Sequence, residues 1–439
     1  MRNTAEVYLW GTRIGIAYLP EDSEYVSFEY DKHFLKSGIE VSPLYMPLSK
    51  RVYSFPNLPI EAFHGVPGLL ADSLPDKFGN AVINQWLAGQ GRTPDSFHVI
   101  ERLCYTGKRG MGALEYVPSS GPADTGKESV NIEEMVRFAS DVLKSREDIH
   151  IALKENIAAK QLLKLGTSAG GARAKAIIAW NEETGDVRSG QIDAGDGYGY
   201  WLIKFDGVES NGDHGLNDEP EYTLIEYAYY RMAADAGIHM NECRILQENG
   251  RHHFMTKRFD REENSNRKMH MQTLGALAHI DYNTPGLCSY EQAASYARQI
   301  GLEYQDLEQL YRRMVFNVLA ANQDDHVKNI SFLMDRRGKW SLSPAYDMTF
   351  AYNSNNRWLS AHQMTVNHKN KAITEEDLIT SGKAMDIKEA KCRKIIHDIK
   401  EVTERWDSYA EAAGIREKTM CMVKQVIKEM SVGGTGLSV

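Results

Sequence analysis

Asn322-Gln323-Asp324-Asp325-His326-Val327-Lys328-Asn329 is the stretch that most restricts what this chain can be. It sets an acid, Asp324, five residues before an amide, Asn329. A short apolar run follows at once, Ile330-Ser331-Phe332-Leu333-Met334, and then a turn, Asp335 to Lys339. A second run, Trp340-Ser341-Leu342, leads into Ser343-Pro344-Ala345-Tyr346-Asp347. The pattern predicts a loop bearing Asp324 and Asn329, a β-hairpin over 330–342, and a second acid at its far end. Asp, Asn and His are also common in turns because their side chains bond nearby backbone, so the loop alone has a bland reading.

The joint pattern points to phosphoryl transfer. One acid orients an attacking hydroxyl, while an amide oxygen and another carboxylate hold magnesium on the ATP phosphates. Asp324 is the candidate catalytic acid, and Asn329 and Asp347 are the candidate metal ligands. The D-x-x-x-x-N spacing matches a protein-kinase catalytic loop. His326 and Lys328, within the same loop, are candidate ATP-binding side chains, and His326 also has a role in ordering that loop.

The rest of an ATP site lies upstream. Trp201-Leu202-Ile203-Lys204-Phe205 reads as a strand with a lysine among apolar neighbours, where Lys204 can neutralise phosphates. The alternative is a surface lysine on an edge strand. Glu226, on the next helix, is placed to pair with Lys204 and aim it, or else is a solvated helix glutamate. The Gly-rich segment from Leu165 to Lys175 precedes an apolar strand, Ala176 to Trp180. Its Gly170, Gly171 and Ala172 let backbone N–H groups approach phosphate, and Lys175 closes the segment. It is not a Walker loop; a flexible turn is the alternative. Thr167 and Ser168 are candidate phosphate acceptors there, since each offers a hydroxyl; phosphate adds about two negative charges, which would disrupt ATP binding if the loop were displaced. Lys257 and Phe259, in Met255 to Arg261, are hinge candidates for adenine, with ordinary core packing as the alternative for Phe259.

The 439 residues, 42% hydrophobic and 25% charged, allow two or three folded domains. A net charge of -9 gives no overall reason to expect nucleic acid as the main ligand. Five widely spaced cysteines without a C-x-x-C argue against a disulfide framework or zinc ribbon and fit a reducing cytoplasm. No apolar run approaches a membrane span, and no signal peptide is read at the start. No H-E-x-x-H signature occurs, which disfavours zinc protease chemistry.

Hairpins are predicted over Val7 to Leu19 and around Asn249-Gly250, and a linker over 117–128. Asn131 and Glu134 resemble a capping box ahead of a stripe of Ile132, Met135, Phe138, Ala139 and Val142. Leu307, Leu310, Tyr311, Met314, Val315, Val318 and Leu319 mark the core face of a helix before the Asp324 loop. The expected fold class is α+β and two-lobed, like a protein kinase. It has a family-specific N-terminal α+β subdomain (1–120), a β-rich ATP-binding lobe (145–260) and a mostly helical catalytic lobe (261–439).

Together these blocks resemble the HipA family of toxin kinases. Gly68 to Asp76 and Gly107 to Leu114 look like the family's N-terminal signatures. Gly171 to Lys175, Leu202 to Lys204, Lys257 to Arg261, Asp324 to Asn329 and Ser343 to Asp347 match its kinase blocks in order. The resemblance implies a serine/threonine-protein kinase using ATP and Mg2+, with Asp324, Asn329, Asp347 and Lys204 in the roles given above. It implies autophosphorylation at Ser168, with Thr167 adjacent, that inactivates the kinase. It further implies a protein substrate such as an aminoacyl-tRNA synthetase, growth arrest, and a small helix-turn-helix HipB-like antitoxin that carries the kinase to operator DNA. Arg173, Ala174 and Asp325 depart from the family prototype. Two other readings share the fold: a non-catalytic co-repressor that docks an antitoxin, and a kinase for a small molecule or lipid.

Overall fold

The computed structural model describes residues 3–120, 128–144, 173–191, 193–208, 221–262 and 267–431. They form two compact units, one from the described residues of 1–218, 244–272 and 334–338, the other from those of 219–243, 273–333 and 339–439.

The first unit holds two antiparallel sheets. Strands β1 (Thr4–Leu9) and β2 (Thr12–Tyr18) close over Trp10-Gly11, both at positive φ, the geometry of a tight two-residue hairpin. With β3 (Ser27–Tyr30) and β4 (Leu114–Val117) they make a sheet in the order β3-β2-β1-β4. The second sheet takes β5 (Lys175–Trp180), β6 (Val187–Ser189), β7 (Gly199–Lys204), β8 (Cys243–Glu248) and β9 (Arg251–Lys257) in the order β6-β5-β7-β9-β8. Asn249 and Gly250, both at positive φ, turn β8 into β9 as their sequence predicts.

Two helices bury their stripes against this second sheet. Asp76 caps helix Lys77–Ala88 by accepting from the Gly79 amide at 2.7 Å. Asn131 accepts from the Glu134 amide at 3.1 Å and opens helix Ile132–Lys144. Phe78 and Val82 of the first, and Met135, Phe138 and Val142 of the second, share one core with Ile178, Trp201 and Ile203. The N-terminal segment and the β-rich lobe therefore share a hydrophobic core. Truncating Phe138 to Ala would cost about 3–5 kcal/mol.

A buried ionic cluster joins two of the sequence blocks inside this unit. Asp260 is fully buried; it accepts from Arg258 Nε at 2.8 Å and Nη2 at 2.7 Å, and from Arg261 Nη1 at 2.8 Å. Its fourth donor is the Gly112 amide at 2.7 Å. Burial opposes the charge, but the two guanidiniums and the amide overcome it and hold the carboxyl far below the usual range. Gly112 sits at φ +73, where an added Cβ would lie 3.1 Å from the Met271 amide nitrogen, so this approach requires glycine. A short strand, β10 (His270–Thr273), follows. His270 Nε2 donates to the Val41 carbonyl at 2.9 Å, the only polarity a carbonyl permits.

The second unit is mostly helical. Helix Tyr304–Leu319 lies at its centre and contacts helices Tyr290–Gln299, Glu389–Glu404 and Glu417–Ser431. Leu310, Tyr311, Met314 and Val315 are buried along the predicted stripe. Helix Tyr222–Asp235 belongs to this unit, whereas the sequence boundaries put it with the ATP-binding lobe. Tyr229 on it packs edge-on to Trp406, with ring centroids 5.5 Å apart, and donates to the Ala320 carbonyl at 2.6 Å. That bond satisfies a carbonyl at the C-terminal end of the central helix, where the next loop begins. Strands β11 (Ser331–Met334) and β12 (Trp340–Leu342) form the predicted hairpin. Among the described residues, no helix is long and apolar enough to cross a membrane. All five cysteines are free; Cys421 is exposed and the other four are buried.

Candidate active site

The loop after the central helix is built so that Asp324 and Asn329 hold a fixed relation. Ala321, at φ +54, breaks the helical course, and Gln323 N then bonds the Ala351 carbonyl at 2.9 Å. Val327–Asn329 forms one 3-10 turn. Asn329 Nδ2 donates to the Asp324 carbonyl at 2.7 Å. That bond commits the amide nitrogen, so the amide oxygen is the atom left to bind a cation. The Asp324 side chain stays about one-third exposed, with His326 Nε2 at 3.9 Å from its Oδ1. The carboxylate is thus reachable, as a candidate general base has to be.

Asp347 follows the hairpin at φ +53, a left-handed conformation that Asp tolerates better than most residues. Asn329 and Asp347 line one pocket with Asn322, Asp325, His326, Tyr290, Asn317 and Arg313. Asn322 is 2% exposed, and its Oδ1 has no hydrogen-bond partner among the described residues. Among those residues no group of three or more His, Cys, Asp and Glu could hold a metal. With the Asp325 oxygens taken up by protein donors, the pocket offers the Asp347 carboxylate and amide oxygens, a hard-donor set that suits Mg2+, which keeps several waters.

Asp325, next to the candidate base, has a different environment. It is 3% exposed. Its Oδ1 accepts from the Gln363 amide at 2.7 Å; its Oδ2 accepts from Tyr290 OH at 2.8 Å and lies 3.0 Å from His362 Nδ1. The second acid of the doublet is an anchor for the loop. Lys328 Nζ sits 4.0 Å above the Tyr282 ring centroid, a cation–π contact, and its carbonyl accepts from Tyr346 OH at 2.6 Å. Tyr346 OH also lies 2.5 Å from Ser331 Oγ, tying the end of the hairpin to its start.

In the first unit, Lys204 on β7 stands directly opposite Lys175 on β5 and Phe254 on β9. Directly opposed residues share a sheet face, so two buried lysines lie side by side. Like charges so placed repel, and Asp76 Oδ2, 3.5 Å from Lys175 Nζ, offsets part of that. Lys204 Nζ is 5.8 Å from the Phe254 ring centroid. Lys204 is 8% exposed, which removes the edge-strand alternative. Glu226 is 2% exposed in the second unit, which removes the solvated alternative for it. Lys257 pairs with Trp201 across the sheet, and both Lys257 and Phe259 are half-buried. Thr167, Ser168, Gly170, Gly171 and Ala172 lie outside the described residues.

Sequence reasoning missed Asp325, Tyr290, Asn317, Asn322 and His362 as partners, and Asp76 as the lysine's counter-ion. The Asp324-Asp325 doublet was the one local signal. Asn317 and Asn322 lie close by without a spacing that marks them, while Tyr290 and His362 lie 35 and 37 residues from Asp325, too far for spacing to reveal them.

Comparison with known proteins agrees with this architecture. Residues 5–117 match the HipA N-terminal domain, and residues 167–406 match the HipA-like C-terminal domain. The chain belongs to the HipA family. The HipA of Shewanella oneidensis, solved with HipB and operator DNA, superposes with a TM-score of 0.62 over 98% of this chain and 96% of that one. Identity is 14%, so the likeness carries the HipA fold and no more. A Haemophilus influenzae protein named "Putative kinase" is 28% identical over 160 residues, 33% of this chain and 46% of that protein. "Putative kinase Y4mE" of Sinorhizobium fredii is 27% identical over 143 residues, 30% of this chain and 34% of that one. This HipA-family chain thus spans about half and about a third of the lengths of these curated relatives.

Proposed function

We propose that this HipA-family chain is a serine/threonine-protein kinase toxin that transfers the γ-phosphoryl group of ATP to a protein hydroxyl. The observation that carries the reading is the grouping of Asn329 and Asp347 in one pocket, with Asp324 bound to Asn329 through its carbonyl and still open to solvent. Asp324 orients the acceptor hydroxyl and takes its proton as the oxygen attacks phosphorus; the bond to the departing ADP oxygen breaks. Asn329 and Asp347 would hold Mg2+, which supplies positive charge to the phosphate oxygens. Lys204, buried on its sheet, supplies a fixed cation for the nucleotide. The name of the Haemophilus relative supports kinase chemistry.

The Shewanella complex of HipA with HipB and operator DNA supports a HipB-like antitoxin as partner, with DNA engaged through it. The acceptor is a protein, with aminoacyl-tRNA synthetases as the class to screen first. Ser168 or Thr167 is the self-inhibitory acceptor.

The test is incubation of dephosphorylated protein with magnesium and labelled ATP, then peptide mass spectrometry, beside Asp324→Asn. Phosphate on Ser168 or Thr167 is expected in the wild type, with incorporation falling about 10²–10⁴-fold in the variant. Equal rates would remove Asp324 from its role. No turnover on any acceptor, with tight antitoxin binding, would favour the co-repressor reading.

A further inference from the structure

A line of buried polar side chains runs along the wall of the pocket and is used by none of the chemistry above. It starts at Asp325 Oδ2, which accepts from Tyr290 OH at 2.8 Å. Burial and the neighbouring Asp325 carboxylate raise the Tyr290 pKa well above its usual value, so the phenol keeps its proton. With its O–H directed at Asp325, the phenol oxygen can only accept from the next group, and Asn317 Nδ2 donates to it at 2.9 Å. Asn317 therefore presents its oxygen onward, where Asn322 Nδ2 donates at 3.0 Å. Asn322 Nδ2 also approaches the Asp347 carbonyl at 3.4 Å.

Each step fixes the polarity of the next, and the negative end is Asp325. The line joins four segments: the Asp324–Asn329 loop, the helices Tyr290–Gln299 and Tyr304–Leu319, and the turn at Asp347. That turn needs outside support because Asp347 is a non-glycine residue at φ +53. A backbone link reinforces the same junction, since Ala351 N bonds the Ala321 carbonyl at 3.1 Å. All four side chains are at most 7% exposed. The relay also leaves Asn322 Oδ1 unpartnered among the described residues in the pocket that Asn329 and Asp347 line.

We propose that Asp325, Tyr290, Asn317 and Asn322 are positioning residues that hold the Asp347 turn against the Asn329 loop and so set the affinity of that pair for a divalent cation. The proposal rests on the reading of Asn329 and Asp347 as metal ligands. None of the four is asked to touch the phosphate or the acceptor. Tyr290→Phe removes one oxygen and keeps the ring, so it cuts the relay with little change of shape.

The measurement is Mn2+ binding by electron paramagnetic resonance, with ADP present, on the full chain. It reads cation affinity without turnover. Wild type, Tyr290→Phe, Asn322→Ser and Asp347→Asn are compared, with thermal midpoints taken alongside. The expected result is loss of the tight Mn2+ site in Asp347→Asn and weakening of about tenfold in Tyr290→Phe, the effect of one lost buried hydrogen bond. Asn322→Ser is expected to match Tyr290→Phe and serves in its place if that variant does not fold. Wild-type affinity in both relay variants, with Asp347→Asn defective, would overturn the relay and leave the metal site standing. Wild-type affinity in Asp347→Asn would overturn the site and the relay together.

Discussion

Asp260 and Asp325 are both buried acids, yet the protein uses them in opposite ways. Asp260 meets two guanidiniums and a backbone amide, so its charge is neutralised on the spot. Asp325 meets a phenol, an imidazole and a backbone amide, and it passes polarity on to groups that end at the pocket. The first is a bolt between two segments of one unit. The second is the origin of a directional network. Burial alone therefore says little about the role of an acid; its partners do.

The sharpest way to break this contrast is Asp260→Ala. It strands two buried guanidiniums, and urea unfolding should show a loss of about 3–5 kcal/mol. A loss under 1 kcal/mol would mean that the cluster is not the bolt described.

His270 gives the next largest effect, in the same unit. Burial depresses its pKa from the ordinary 6.5 to about 4, so the folded state resists protonation while the unfolded state accepts it. The His270 contribution to stability should therefore be constant above pH 6.5 and fall as pH drops towards 4, by about 3 kcal/mol. His270→Gln should lose that slope in denaturant titrations across the same range. A slope unchanged in the variant would assign the acid sensitivity elsewhere.

Asp325→Asn should cost less in stability, about 1–3 kcal/mol, because no buried guanidinium is left unpaired. It should instead weaken the dependence on divalent cation, which Asp260→Ala on its folded fraction should not do to the same degree. Equal cation shifts in both would erase the distinction between bolt and relay. The smallest effect expected is from Gly112→Ala, about 1–2 kcal/mol by thermal melting, from the strained φ and the approach to Met271.

Much of the helical unit was legible in the sequence because its signals are local. The stripe from Leu307 to Leu319 marks a helix, and Asn322 to Asp347 spells out loop, hairpin and acid. Asn249-Gly250 announces its own turn. The polar network was not legible, because Tyr290 to Asp325 and Asp325 to Gln363 each span more than thirty residues, and no periodicity links them. The domain boundaries drawn from composition missed that Phe78 and Phe138 share a core with Ile178 and Ile203. The sequence showed each stripe, but which stripes would meet depended on the tertiary fold. Lys175 was read only as the end of a phosphate loop. Its place opposite Lys204, with Asp76 beside it, depends on strand register and on a helix cap some hundred residues upstream.

The left-handed backbone at Asp347 has a practical consequence for anyone wanting an inert form of this protein. Alanine there would change two things at once, since it removes the carboxylate and strains a conformation that disfavours a β-carbon without a polar partner. Asparagine keeps the shape, tolerates the same dihedral angles and removes only the charge. Asp347→Asn is therefore the cleaner decoy, a form expected to keep its surface for partner capture while the cation is no longer held.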